Sequence, residues 1–500
     1  MSLKTFIVRK VAEAITKRIQ KDSKKAVKLQ ERWMQKLVKA ARNTVYGKDH
    51  HFDQIRNYED FKKQVPLADY EQLRPYIDQI NAGKSDVLWP KRPKYYAKTS
   101  GTTSGAKYIP LTKQSIPNHF NTARNALFNY VATTGKGDFL DGKLIFLSGS
   151  PTLEKKDDIL LGRLSGISNH LVPSWLKKSQ LPSYETNCIE EWEAKLDKIV
   201  EETANEDMRL ISGIPPWVQM YYERLLEYTG KKTVLEVFPN FSMFVYGGVN
   251  FEPYRAKLEE LVGGKIPSVE TYPASEGFLA FQDLQDDKGL LLNVNSGIFF
   301  EFVPATEIFD DNPTRISLKD VELGVNYAII INSNAGLWGY NIGDTVEFIT
   351  KDPYRLIVTG RIKHFISAFG EHVIGKEVET AMNSTAQQLG IRTIEYTVAP
   401  QVSPTEGGLP YHEWFVAFDN LPTDLNNFAQ QVDKSMQEQN IYYKDLINSK
   451  VLQPLKIRPL RSDAFREYMK SIGKLGGQNK VPRLANDRKI ADFLTNYIQD

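Results

Sequence analysis

From Thr99 to Lys107 the chain reads Thr-Ser-Gly-Thr-Thr-Ser-Gly-Ala-Lys, which places five hydroxyl side chains, two glycines and a lysine in nine positions. Gly101 and Gly105 let a backbone turn tightly and approach a ligand closely. Thr99, Ser100, Thr102, Thr103 and Ser104 set hydroxyls beside backbone N–H groups, and Lys107 adds a positive charge. Such a cluster of donors suits a triphosphate. The plain alternative is a polar surface loop. The position between two strand-like stretches, 94–97 and 108–111, favours phosphate binding.

Two further clusters could act on the same ligand. In Tyr272-Pro273-Ala274-Ser275-Glu276-Gly277 the aromatic ring could stack on a base, the Ser275 hydroxyl could bond a phosphate, and the Glu276 carboxylate could hold Mg²⁺, a cation that prefers oxygen. In Gly339-Tyr340-Asn341-Ile342-Gly343-Asp344 a carboxylate read as lying at a turn between strands could take both hydroxyls of a ribose. Either cluster alone also reads as an ordinary turn. A near-match to a P-loop, Gly137 to Leu144, lacks the Ser or Thr that reaches Mg²⁺ and leads into a strand rather than a helix, so it reads as a turn.

These clusters need a scaffold. Five hundred residues favour more than one domain, and 41% hydrophobic with 25% charged residues fits a globular chain. Strand-like runs at 144–147 and 325–331 alternate with helical spacing at 190–201 and 216–228, which predicts an α/β architecture. Helical spacing also runs through Phe6, Val11, Ile15, Trp33, Leu37, Val38 and Ala41. The texture changes after a strand at 355–359. The expected division is a large N-terminal α/β domain, 1–361, and a smaller, mobile C-terminal α+β domain, 362–500.

Net charge is only +3, from 64 Lys plus Arg against 61 Asp plus Glu, so no basic coat for nucleic acid is expected. The basic N-terminal stretch also carries Glu13, Asp22 and Glu31 and reads as a solvated helix face. One cysteine, Cys188, and no apolar run near the ~20 residues of a membrane helix lead us to expect a cytoplasmic protein without membrane association. Adjacent His50 and His51 diverge and make a poor metal pair, while His119 and His364 read as packed or functional with equal force. Phe244 and Tyr246, with Gly247 and Gly248, are candidates to line an acyl pocket, although the aromatics of 238–251 also read as plain core.

Taken in order, the clusters resemble the motifs of adenylate-forming enzymes, the class of acyl-CoA synthetases and luciferase. Gly360-Arg361, Gly370-Glu371 and Glu377 resemble that class's inter-domain hinge region. More closely, the chain resembles the Gretchen Hagen family of acyl acid amido synthetases. The resemblance runs through Asn43 to Gly47, His51-Phe52, Ile55, Phe61, Val65-Pro66, Tyr70-Glu71, Pro75 and Val87 to Pro90, and again through Gln478 to Arg483, so it covers nearly the whole chain.

The resemblance implies a fold and a two-step reaction. A carboxylate attacks ATP to give an acyl-adenylate and pyrophosphate, and an amino acid amine then takes the acyl group. Ser100, Thr102, Thr103 and Ser104 would hold the phosphates and Tyr272 would face the adenine. Ser275 would contact the α-phosphate, Glu276 would hold Mg²⁺, and Asp344 would bind the ribose with help from Arg361. Lys480, arriving from a rotating small domain, is the candidate catalytic lysine, and Lys474 is the second choice. The sequence departs from the family at Pro273, where Gly is usual, and at 338–341, where no basic residue precedes Gly343-Asp344. Two other readings compete: a coenzyme A ligase using the same first step, and a nucleotide-binding protein that has lost catalysis.

Overall fold

The structure is a computed structural model that describes residues 3–499 apart from 103–104, 157, 173, 249–250, 286–288, 309, 363–364, 367, 372 and 473–480. The chain divides into two compact units. One comprises Met1–Thr99, Lys107–Ile189 and Lys195–Ile362; the other comprises Ser100–Ala106, Glu190–Ala194 and Lys363–Asp500.

The first unit is built on a mixed sheet, twelve-stranded among the described residues. From edge to edge it runs Ile316–Ser317, Ile298–Pro304, Asn326–Ser333, Tyr340–Lys351, Tyr354–Arg361, Leu290–Leu292, Gly277–Phe281, Ser268–Ala274, Met243–Gly247, Met208–Ser212, Lys143–Phe146 and Gln180–Leu181. Five neighbouring strands, from Ser268–Ala274 to Gln180–Leu181, are parallel. Their crossovers are helices such as Pro215–Thr229 and Glu252–Val262, as parallel pairing requires. The other strands pair antiparallel, starting with the hairpin of Ser268–Ala274 and Gly277–Phe281.

The helix Ala26–Ala41 buries Met34, Leu37, Val38 and Ala41 along one face, at the expected 3.6-residue spacing. Trp338, fully buried, packs edge-on to Phe52 and parallel to Tyr46, joining the N-terminal helices to the antiparallel half of the sheet. Val11, expected on the buried stripe, is 44% exposed because the neighbouring Ala12 takes the inward position.

The second unit is α+β, with a sheet of Thr393–Gln401, Tyr411–Phe418 and Lys456–Leu460 among the described residues. The helices Gly375–Leu389, Leu425–Gln439, Ile441–Asn448, Ala464–Ser471 and Lys489–Leu494 accompany it. No helix among the described residues is long and apolar enough to cross a membrane.

Candidate active site

Tyr272 lies near the carboxyl end of Ser268–Ala274, and Ser275 and Glu276 form the two-residue turn that reverses the chain into Gly277–Phe281. Ser268–Ala274 is the last parallel strand, so the turn stands at the carboxyl end of the parallel strands, where open α/β sheets bind ligands. The turn is held from one side by Asn118 of the helix Ile116–Thr134. Its Oδ1 accepts from the Phe278 N–H at 2.6 Å, and its Nδ2 donates to the Phe278 carbonyl at 3.2 Å. Ser275 and Glu276 are themselves only half-buried.

Asp344 does not lie at a turn, as its sequence context suggested. It sits inside the strand Tyr340–Lys351, because this stretch pairs with a strand on each side. Gly343, with φ +87°, bends the backbone just before it, and its N–H donates to Asn341 Oδ1 at 2.9 Å. Asp344 lies opposite Arg361 in the ladder, and the Ile362 N–H donates to the Gly343 carbonyl. The Arg361 side chain lies outside the described residues.

The structure brings Tyr272 and Asp344 together. Tyr272 Oη donates to Asp344 Oδ2 at 2.7 Å, and both residues are buried. A buried carboxylate needs such donors.

Phe244, Tyr246 and Gly247 lie on the next strand, Met243–Gly247, where Gly247 is the ladder partner of Thr271 beside Tyr272. A Cβ on Gly247 would come within 2.2 Å of the Thr271 carbonyl oxygen, so only glycine fits there. The Phe244 and Tyr246 rings lie 5.2 Å apart, and Phe251 lies 4.4 Å from Tyr246, an apolar cluster adjoining the Tyr272 strand. Gly248 follows with φ +83° and is exposed.

The hydroxyl-rich segment is less a loop than its composition suggested. Thr99 to Thr102 belong to the strand Tyr95–Thr102, and Gly105 to Lys107 belong to its neighbour Gly105–Leu111. Gly101 and Gly105 therefore lie in strands, and backbone pairing takes up part of the segment expected to be free. Thr103 and Ser104, and the side chains of 100–106, lie outside the described residues, as do Lys474, Lys480 and His364.

Two buried groups were not singled out as functional by the sequence. Lys195 is 3% exposed; its ammonium donates to the carbonyls of Ser148 and Asn187, both at 2.9 Å, and burial pushes its pKa down to about 8. The second is Asn332, which is fully buried at the end of the apolar run Ile329-Ile330-Ile331, where the sequence turns polar. His119 is packed, with its pKa pushed down to about 4 by burial. A cavity of about 300 Å³ opens elsewhere in this unit, between Arg18, Asp22, Asn121, Asn125 and Asn295, and none of the expected site residues lines it.

Among the described residues no group of three His, Cys, Asp or Glu could hold a metal ion. The donors at the Ser275–Glu276 turn, one carboxylate and one hydroxyl, fit Mg²⁺ in the way it usually binds beside nucleotides, through one or two carboxylates plus substrate phosphates.

Known proteins resemble this chain over most of its length. The sequence model of the GH3 family N-terminal domain matches residues 15–167 and 145–267, that of the GH3 family central domain matches 291–361, and that of the GH3 family C-terminal domain matches 376–489. A jasmonoyl–L-amino acid synthetase of Nicotiana attenuata, JAR4, is 22% identical over 548 aligned positions covering 94% of this chain and 93% of that one. The indole-3-acetic acid-amido synthetase GH3.3 of Arabidopsis thaliana is 27% identical over 213 positions, which cover 40% of this chain but only 35% of that protein. The solved structure of the AtGH3.15 acyl acid amido synthetase in complex with 2,4-DB superposes with a TM-score of 0.62 at 16% identity, over 98% of this chain and 96% of that one, and so shares its fold.

Proposed function

The chain belongs to the GH3 family, and from this we propose that it is an ATP-dependent acyl acid amido synthetase. It adenylates a carboxylic acid and passes the acyl group to an amino acid amine. The observation that carries the reading is the meeting of Tyr272 and Asp344 beside the Ser275–Glu276 turn, at the carboxyl end of the parallel strands.

In the first step the substrate carboxylate attacks the α-phosphorus of ATP and pyrophosphate leaves. Both reactants are anions, so the site must offset repulsion before it does anything else. In our reading the 99–107 segment holds the β- and γ-phosphates and Ser275 bonds the α-phosphate. Glu276 holds Mg²⁺, which neutralises phosphate charge when bound. Tyr272 presents its ring to adenine, its hydroxyl bonds one oxygen of Asp344, and the Asp344 carboxylate takes the ribose. Holding the two reactants in line supplies much of the remaining rate. Lys480 adds positive charge at the transition state.

In the second step the amine attacks the acyl carbonyl, AMP leaves, and the amine's proton passes to solvent. Residues 1–361 hold ATP and the acid, and 362–500 bring the lysine. The acid rests against the Phe244, Tyr246 and Gly247 cluster. The protein works in the cytoplasm, on a small carboxylic acid and an amino acid.

ATP–pyrophosphate exchange across a panel of aryl and alkyl carboxylic acids tests the reading. Exchange with at least one acid supports it. ATP binding without exchange on any acid would favour a protein that has lost catalysis.

A further inference from the structure

The approach to Asp344 is fixed by a group that belongs to none of the three motifs. Glu301 is fully buried on the strand Ile298–Pro304, and its two oxygens accept four hydrogen bonds. Oε1 accepts from Tyr58 Oη at 3.0 Å and Arg315 Nε at 3.1 Å. Oε2 accepts from Arg315 Nη2 at 2.7 Å and Asn332 Nδ2 at 2.8 Å. A buried ion pair of this kind is weak evidence of stability, because desolvation offsets most of the attraction; its best-attested use is to fix one geometry.

The geometry fixed here is that of Asn332. With Nδ2 held by Glu301, its Oδ1 faces the Gly339 N–H and accepts from it at 2.6 Å. Gly339 has φ +54°, and a Cβ there would lie 2.0 Å from the Pro66 carbonyl oxygen, so the chain can make this turn only as glycine. The Gly339 carbonyl accepts from the Ala68 N–H, and the Ala68 carbonyl accepts from the Asn341 N–H, both at 2.8 Å. Asn341 Oδ1 in turn accepts from the Gly343 N–H, one residue before Asp344. An unbroken set of hydrogen bonds therefore runs from the buried carboxylate to the residue before Asp344. The segment 338–341 carries no basic residue of its own, and the Asn332 amide anchors the turn from outside the segment.

We propose that Asn332 is a positioning residue for adenylation, holding the Gly339 turn so that Asp344 meets the ribose hydroxyls in the right register. The proposal rests on the reading of Asp344 as the ribose ligand. Asn332 touches neither substrate nor reacting atoms; it acts through the strand Tyr340–Lys351.

The test is the ratio of kcat/KM for ATP to that for 3′-deoxy-ATP, measured in the exchange assay. Loss of folded protein lowers both values equally and cancels in the ratio, so a merely structural role leaves it unchanged. The wild-type protein should prefer ATP by about tenfold or more, since the analogue forfeits a hydrogen bond that a ribose hydroxyl makes to a carboxylate. Asn332→Ser should lower that preference by about tenfold, with the rate on 3′-deoxy-ATP little changed. If Asn332→Ser does not fold, Glu301→Gln, which keeps the volume and loosens Asn332, should lower the same ratio by a smaller factor. A ratio unchanged in these variants but lost in Asp344→Asn overturns the proposal and leaves the ribose reading standing. A ratio unchanged in Asp344→Asn overturns both.

Discussion

Tyr272 and Asp344, 72 residues apart in the chain, share a buried hydrogen bond of 2.7 Å between the phenol and one carboxylate oxygen. The bond couples the aromatic expected at adenine to the carboxylate expected at ribose. Tyr272→Phe keeps the ring and removes the bond. It should lower kcat/KM for ATP by about tenfold in pyrophosphate exchange, and Tyr272→Ala should cost more because the stacking surface is lost as well. An unchanged kcat/KM in Tyr272→Phe would separate the two residues functionally.

Glu276 is half-buried in a short turn rather than in the core, so its replacement should spare the fold. Glu276→Ala should reduce exchange by about 100-fold or more and raise the Mg²⁺ concentration needed for half-maximal rate. Urea unfolding should change little. A near-normal rate at low Mg²⁺ would remove Glu276 from the metal site.

Two lysines compete for the catalytic role. Lys480→Ala should reduce exchange by about 100-fold or more, while Lys474→Ala should stay within about threefold of the wild type. The opposite ranking would move the assignment to Lys474.

Lys195 ties stability to pH. Its ordinary value is 10.5, and burial lowers it to about 8 in the folded protein. Between those values the unfolded chain holds more protons than the folded one, so stability rises with pH across this window. Relative to Lys195→Met, the wild type should therefore gain up to about 3 kcal/mol in denaturant unfolding as pH rises from below 8 towards 10.5. A stability difference independent of pH would show that the ammonium is not penalised by burial.

The mixed α/β character was legible because the local signals agreed. The runs at 144–147 and 325–331 overlap the strands Lys143–Phe146 and Asn326–Ser333, and those at 190–201 and 216–228 overlap the helices Trp192–Thr203 and Pro215–Thr229. The order of the twelve strands was not, because pairing such as Leu290–Leu292 beside Tyr354–Arg361 joins segments with no shared local pattern. The Ser275–Glu276 turn could be read from the apolar and aromatic residues that bracket a short polar pair. Asp344 was misplaced for a physical reason: Gly343-Asp344 has the composition of a turn, yet pairing on both sides holds it in a strand. Composition likewise overstated the freedom of 99–107, where strand pairing reaches Thr102 and resumes at Gly105. Asn332 carried almost no signal, since its importance depends on an N–H seven residues later folding back over it.

The central claim is that the activated acyl group ends on an amino acid nitrogen. The most direct measurement starts from ATP, Mg²⁺ and any acid that supports pyrophosphate exchange. Each amino acid, or coenzyme A, is then added separately, with products followed by mass spectrometry and AMP counted. The expected result is an N-acyl amino acid formed one-to-one with AMP for at least one amino acid, and no thioester. Acyl-coenzyme A formed with AMP, and no amide with any amino acid, would contradict it.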